Sequence, residues 1–324
     1  MTAPPLTGRE LAELAAGRPP LELFGPESQH PLLAIELAGA DPQLGGWLQS
    51  LPCPVIGLGT GPLAAACDLV LTDESALPTI ATNIAQAPMT SMVLVQLLRL
   101  SERLSEAEAL VAESFAFGVV QTGPEFRRWR CAQAPLPQAP AVPEPPLLIE
   151  RRGDVLCLIM NRPAERNAIG VEMRDALADA FDLALIDREI VRVELSGRGR
   201  CFSVGGHVGE FGLAADPATA HWIRVLRLPA RRLPALRKRL TVEVQGAAIG
   251  AGVEIAAFAG RVVARPDAWF QLPELQYGLI PGAGGTVSVP RRIGRQRTAY
   301  LALSMKRLPA STALAWGLVD AIEA

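Results

Sequence analysis

GAGVEIAAFAG (250–260) sets two glycines around an alanine immediately before a carboxylate, Glu254, and then runs on as an apolar segment. A glutamate next to Ile255, Ala256, Ala257 and Phe258 faces a desolvation cost unless something pairs with it or uses it. Glycines ahead of a helix allow another molecule to approach the N–H groups at its positive end. Both features suit a site better than a core. The stretch just upstream, LTVEVQG (240–246), reads as a strand ending in glycine, so the local order is strand, glycine turn, helix.

Working outward, the same alternation recurs. VLCLIMN (155–161) reads as a strand, followed by the loop RPAERNA. VEMRDALADAFDLALID is an amphipathic helix with Met173, Leu177, Ala180, Phe181 and Ala184 on one face. IVRVELSG (190–197) is a further strand. Strands alternating with helices predict an α/β arrangement. Six prolines between Pro135 and Pro146 predict an extended connector over 131–146, dividing the chain into 1–130 and 147–324.

The first segment opens on a short helix, with Thr7 and Glu10 at capping-box spacing and Gly17 with Pro19 as its stop. PLLAIEL (31–37), CPVIGLG (53–59) and ACDLVLT (66–72) read as strands. MTSMVLVQLLRLSERL and the Ser105-capped SEAEALVAESFAFG read as helices. The two segments echo one another: each has a strand ending in glycine, a small-residue helix, another strand, and a Leu-Pro pair (77–78; 272–273) leading into a turn. A duplicated domain and two unrelated α/β pieces both account for this echo.

The 324 residues are 49% hydrophobic and 20% charged, as in a well-packed soluble protein. A formal charge of −2 gives no reason to expect nucleic acid or an anionic membrane as partner. The five cysteines are scattered without a CxxC pair, so neither a disulfide framework nor a zinc site is expected. The start MTAPPLTGRE lacks a basic region followed by an apolar run, and no apolar stretch approaches the roughly 18 residues of a spanning helix. A cytoplasmic protein is the expectation.

Three further stretches carry chemistry: GRGRCFSVGGHVGEF (197–211), VQGAAIGAGVEIAAF (244–258) and WFQLPELQYGLIPGAGGT (269–286). With NRPAERNA (161–168) and LALSMKRLPASTALAWGLVDAI (301–322), they resemble the crotonase family, the enoyl-CoA hydratase/isomerase group, in order and approximate spacing over about 147–324. The resemblance implies a repeated ββα spiral, preceded here by a smaller α/β domain that would be a degenerate unit of the same type. It also implies an acyl-CoA thioester as partner, coenzyme A entering as part of the substrate with no separate cofactor or metal, and a homo-oligomer (a trimer or dimer of trimers, unless the first segment alters it).

The chemistry follows from residue types. A thioester's α-carbon becomes reactive when its carbonyl oxygen can carry negative charge, and two aimed backbone N–H groups achieve this. Such a hole requires main chain in close approach, hence the glycine-rich turns at Gly205–Gly206 and Gly250–Gly252. By resemblance the donors are the amides of Gly206 and Ala251. Alanine keeps the N–H but needs φ below zero where the family usually has glycine. Hydration needs one group to take a proton from water and another to deliver one to carbon, and two carboxylates with divergent pKa values can split the task. The resemblance assigns these roles to Glu254 and Glu274. Taken singly, a helix-start carboxylate and a turn residue explain them as well.

The resemblance also has the loop around 163–168 wrap coenzyme A, with Ala164, Arg166 and Ala168 as contacts. His207 follows the first proposed donor, where hydratase relatives often carry an acid. PGAGG (281–285) reads as a turn feeding a helix that starts near Thr286; it lacks the lysine of a phosphate loop. Cys201 has no basic partner in view and reads as structural. Relatives usually continue past the GLVDAI motif with helices covering the acyl pocket, so residues 1–130 are expected to close it. Hydration of an enoyl-CoA is the leading expectation. Double-bond isomerisation and a noncatalytic acyl-CoA-binding or assembly subunit are the alternatives.

Overall fold

The structure, a computed structural model, describes residues 4–133 and 143–323; positions 134–142 of the expected connector therefore lie outside the described residues. The first segment begins with helix α1 (Gly8–Ala16), closed by a complete Thr7–Glu10 capping box. Strands β1 (Leu33–Glu36), β2 (Val55–Leu58) and β3 (Leu69–Leu71) form a parallel sheet, with helix α2 (Gly45–Ser50) between the first two. Four helices follow: α3 (Leu77–Gln86), α4 (Pro88–Ser101), α5 (Glu106–Gln121) and α6 (Pro124–Ala132). Leu77–Pro78, read from sequence as leading into a turn, instead opens α3. Proline is tolerated in a first helical turn, and Ile80, Ala81 and Ile84 bury one face at helical spacing.

The second segment opens with the antiparallel pair β4 (Leu147–Arg152) and β5 (Val155–Met160). Helix α7 (Val171–Ile186) buries Met173, Leu177, Ala180, Phe181 and Ala184, the face read from its period. Then come β6 (Arg192–Gly197), α8 (Pro217–Arg227), α9 (Leu233–Leu236), β7 (Leu240–Val244), β8 (Ala247–Ile249) and α10 (Ala251–Ala256). The chain continues through β9 (Arg261–Ala264), β10 (Trp269–Gln271), α11 (Gly285–Ile293), α12 (Arg295–Ser304), β11 (Leu308–Pro309), α13 (Ala310–Trp316) and β12 (Ala321–Ile322). One six-stranded sheet runs β12-β9-β7-β6-β5-β4, parallel except at its β4 edge. A second sheet runs β11-β10-β8, so that from β7 to β10 successive strands alternate between the two sheets.

The core does not stop at the connector. Leu94, Leu98 and Leu110 of α4 and α5 join one hydrophobic cluster with Phe258, Val287 and Leu301 of the second segment. A smaller cluster around Ile35, Leu48 and Val55 stays within the first. Polar contacts reinforce the junction. Buried Asp68 pairs with Arg99 and with Arg295 of α12, and the Asn83 side chain donates to Leu303 O at 2.8 Å. Breaking one partner of such a buried pair typically costs about 3–5 kcal/mol. Helices α4 and α5 pack on α11, and α6 packs on the turn Glu274–Tyr277. No helix among the described residues is long and apolar enough to cross a membrane.

Candidate active site

Two glycine turns meet at the centre of the second segment. Gly205 (φ +86°) and Gly250 (φ +49°) both sit in the left-handed region. A Cβ on Gly205 would lie 2.5 Å from Ile249 O and 3.3 Å from Ala251 N, so only glycine permits this contact between the turns. Bonds from Ser203 N–H to Ala247 O (3.1 Å) and from Ile249 N–H to Ser203 O (3.0 Å) fix the register. Among the described residues, neither the Gly206 nor the Ala251 N–H finds an acceptor. Ala251 has no positive φ; it and Gly252 are buried in the first turn of α10.

Glu254 lies in that same turn and is 2% exposed. Its Oε2 accepts N–H bonds from Ala283 (2.6 Å) and Gly285 (2.7 Å). Glu274 begins the single 3₁₀ turn Glu274–Tyr277, and its Oε1 occupies the space a Cβ on Gly250 would need. Its Oε2 is sealed from solvent with no hydrogen-bond partner. Burial pushes the Glu254 carboxyl well above the usual range, and the nearby charges of Glu274 and Glu113 push it further. Burial likewise pushes Glu274 up to about 8. With its Oε2 unpartnered, Glu274 is costly to ionise and retains its proton at neutral pH.

Sequence reading missed the residues that hold the strip to which Glu254 bonds. Fully buried Glu113 reaches in from α5 to Gly284 and Thr286, and Arg224 of α8 lies 3.5 Å from it. Arg224 also donates to Gly282 O and stacks over Phe117, 4.4 Å from its centroid. The PGAGG stretch is thus more than a turn into α11: its amides bind two carboxylates. No local pattern marks Glu113, which reads as one polar position on an amphipathic helix.

The loop at 163–168 is anchored by Asn167, also missed. Its Oδ1 accepts from Arg162 N–H (2.9 Å), and its Nδ2 donates to Arg198, Cys201 and Phe202 carbonyls at 3.0–3.1 Å. Arg166 (φ +55°) is exposed at the rim of a cavity of about 380 Å³ that Ala168, Gly206, His207, Gln276 and Tyr277 also line. Ala164 is exposed on the same loop and is not part of that lining. His207 Nδ1 is buried without a partner. Cys201 is buried, and desolvation raises its thiol, which suits the structural reading. No cluster of three metal-ligating side chains exists among the described residues. A second depression, of about 310 Å³, is lined by Arg99 and Arg295, but both are committed to Asp68, and neither Glu254 nor Glu274 lines it.

The model of the enoyl-CoA hydratase/isomerase family matches residues 150–324. The chain is 36% identical over 174 residues to the 2,3-dehydroadipyl-CoA hydratase of Escherichia coli K12, covering 54% of this chain and 68% of that one. It is 34% identical over 169 residues to the 1,2-epoxyphenylacetyl-CoA isomerase of the same organism, covering 51% and 64% respectively. Among solved structures, the enoyl-CoA hydratase of Thermoplasma volcanium GSS1 superposes with a TM-score of 0.50 at 35% identity, over 56% of this chain and 72% of that one. The enoyl-CoA hydratase of Mycobacterium tuberculosis H37Rv gives 0.50 at 32%, over 56% and 69%. With its two-sheet spiral and paired glycine turns, the chain belongs to the enoyl-CoA hydratase/isomerase family.

Proposed function

We propose that the protein adds water across the conjugated double bond of a 2-enoyl-CoA thioester, or removes it from the 3-hydroxyacyl-CoA. The observation that carries this reading is buried Glu254 together with the solvent-sealed, unpartnered Oε2 of half-buried Glu274, beside two abutting glycine turns in which the Gly206 and Ala251 amides are unengaged. The coenzyme A portion would enter by the cavity lined by Arg166, Ala168 and His207. The thioester oxygen then meets the Gly206 and Ala251 N–H groups, which stabilise the enolate as charge moves onto it; losing one such donor typically costs about 10²–10³ in rate.

The two carboxyls divide the proton work by their surroundings. Burial raises the Glu254 carboxyl, and the two amide N–H bonds to its Oε2 oppose that push and orient it as the base that takes a proton from water as the oxygen bonds to the β-carbon. Glu274, with an oxygen lacking any donor and a pKa near 8, holds its proton at neutral pH and delivers it to the α-carbon. One proton leaves water, another reaches carbon, and exchange between the coupled carboxyls resets the site. We further propose that the first segment, 1–130, is a degenerate unit of the same type; its parallel β1-β2-β3 order, matching β6-β7-β9, supports this.

Purified protein mixed with crotonyl-CoA and longer 2-enoyl-CoAs should show loss of the conjugated-thioester absorbance and formation of 3-hydroxyacyl-CoA. Glu254→Gln and Glu274→Gln should each lower turnover by about 10²–10⁴-fold. Consumption of a 3-enoyl-CoA with no hydroxyacyl product would favour the isomerase. Tight CoA-ester binding without turnover of any acyl chain would favour a noncatalytic subunit.

A further inference from the structure

Glu113 lies 171 positions before Gly284 in the chain, on a helix of the other segment, yet the two are in direct contact. Glu113 Oε1 accepts from Gly284 N–H (2.9 Å), and Oε2 accepts from Thr286 N–H (3.0 Å) and the Thr286 hydroxyl (2.7 Å). The intervening amides, Ala283 and Gly285, both donate to Glu254. Four consecutive N–H groups thus alternate between two carboxylates, one from each segment. The strip has little freedom to move toward either without stretching bonds to the other. Arg224 and Ser101 add to the grip: the guanidinium bridges Glu113 and Gly282 O, and Ser101 Oγ donates to Thr286 O at 3.1 Å.

We propose that Glu113 is a positioning residue for the reaction. From α5 it holds the 284–286 strip so that the Ala283 and Gly285 amides stay aimed at Glu254, making the first segment an integral part of the active site. This role rests on the proton-transfer function assigned to Glu254 above. Loss of aim in the hydrogen bonds to Glu254 should lower turnover roughly 10–100-fold. Glu113 does not hold the acyl-CoA itself, so KM should stay within about threefold.

The test compares wild type, Glu113→Gln, Thr286→Val and Thr286→Ser, in the full chain. Two readouts are followed: kcat and KM for crotonyl-CoA hydration, and the amide proton shifts of residues 283–286 by NMR. Glutamine keeps the shape of Glu113 but turns an N–H₂ group toward an N–H donor. The expected result is loss of kcat at near-constant KM, together with upfield movement of the Ala283 and Gly285 amides as their bonds to Glu254 weaken. Thr286→Val should move both readouts the same way by less, and Thr286→Ser should restore them. The proposal is overturned if Gly284 and Thr286 shift while Ala283 and Gly285 do not, or if kcat is unchanged in Glu113→Gln. Should Glu113→Gln fail to fold, unmoved 283 and 285 amides in Thr286→Val overturn it equally. If wild type turns over no enoyl-CoA but the 283 and 285 amides still respond, the hydratase reading fails while the positioning contact stands.

Discussion

Glu274→Gln should remove catalysis and yet stabilise the fold, increasingly so as pH rises. The unfolded chain releases this proton near 4.5, whereas burial keeps it on the folded protein until about 8. Between those values the native state binds one proton more than the unfolded state, so stability falls with rising pH. The contribution is fully present below about 4.5 and is lost as pH climbs through about 8. Each pH unit inside that window is worth about 1.36 kcal/mol per proton. From about pH 5.5 to about pH 7.5, two units, the wild type should lose about 2.7 kcal/mol relative to the glutamine variant. Coupling to Glu254 and partial exposure reduce this, so about 1.5–2.7 kcal/mol is the expected range. Urea unfolding of both proteins at both pH values gives the double difference directly. Parallel stability profiles, differing by less than about 0.5 kcal/mol across the interval, would refute a buried, donor-poor Glu274.

Three other substitutions probe the same geometry. Ala251→Pro deletes one proposed oxyanion donor at a first helical position that proline tolerates; turnover of crotonyl-CoA should drop about 10²–10³-fold while far-UV circular dichroism stays native. Gly250→Ala meets both a positive φ and the Glu274 Oε1, so stability measured by urea unfolding should fall by about 1–3 kcal/mol and activity with it. Asn167→Ala orphans the buried Cys201 and Phe202 carbonyls and the Arg162 N–H; a loss of about 2–4 kcal/mol is expected from thermal or urea unfolding, with raised KM as the 163–168 loop loosens.

Much of the second segment was legible because its signals are local. The face of α7, the β5, β6 and β7 strands and the glycine turns are patterns within a dozen residues, and the structure places them where the sequence reading did. Glu254 stood out because a carboxylate amid apolar residues faces a desolvation cost, whereas Glu274 reads singly as a turn residue and was picked out by the family resemblance. Local reading failed at Leu77–Pro78, where proline marks the opening of α3 and not a turn. It failed again at PGAGG, whose role is set by which side chains its amides face. His207 was noticed, but its partnerless Nδ1 depends on packing that no spacing rule conveys.

The chain alone determined the α/β alternation, the need for glycine at the two turns, and the presence of two acids near them, because backbone sterics and desolvation act over a few residues. Only the tertiary structure decided that Glu113 and Arg224, from different helices, hold the strip whose amides bond to Glu254, and that α4–α6 share a core with the second segment. Contacts spanning more than a hundred residues arise from the complementarity of whole surfaces, and no short stretch of sequence encodes them.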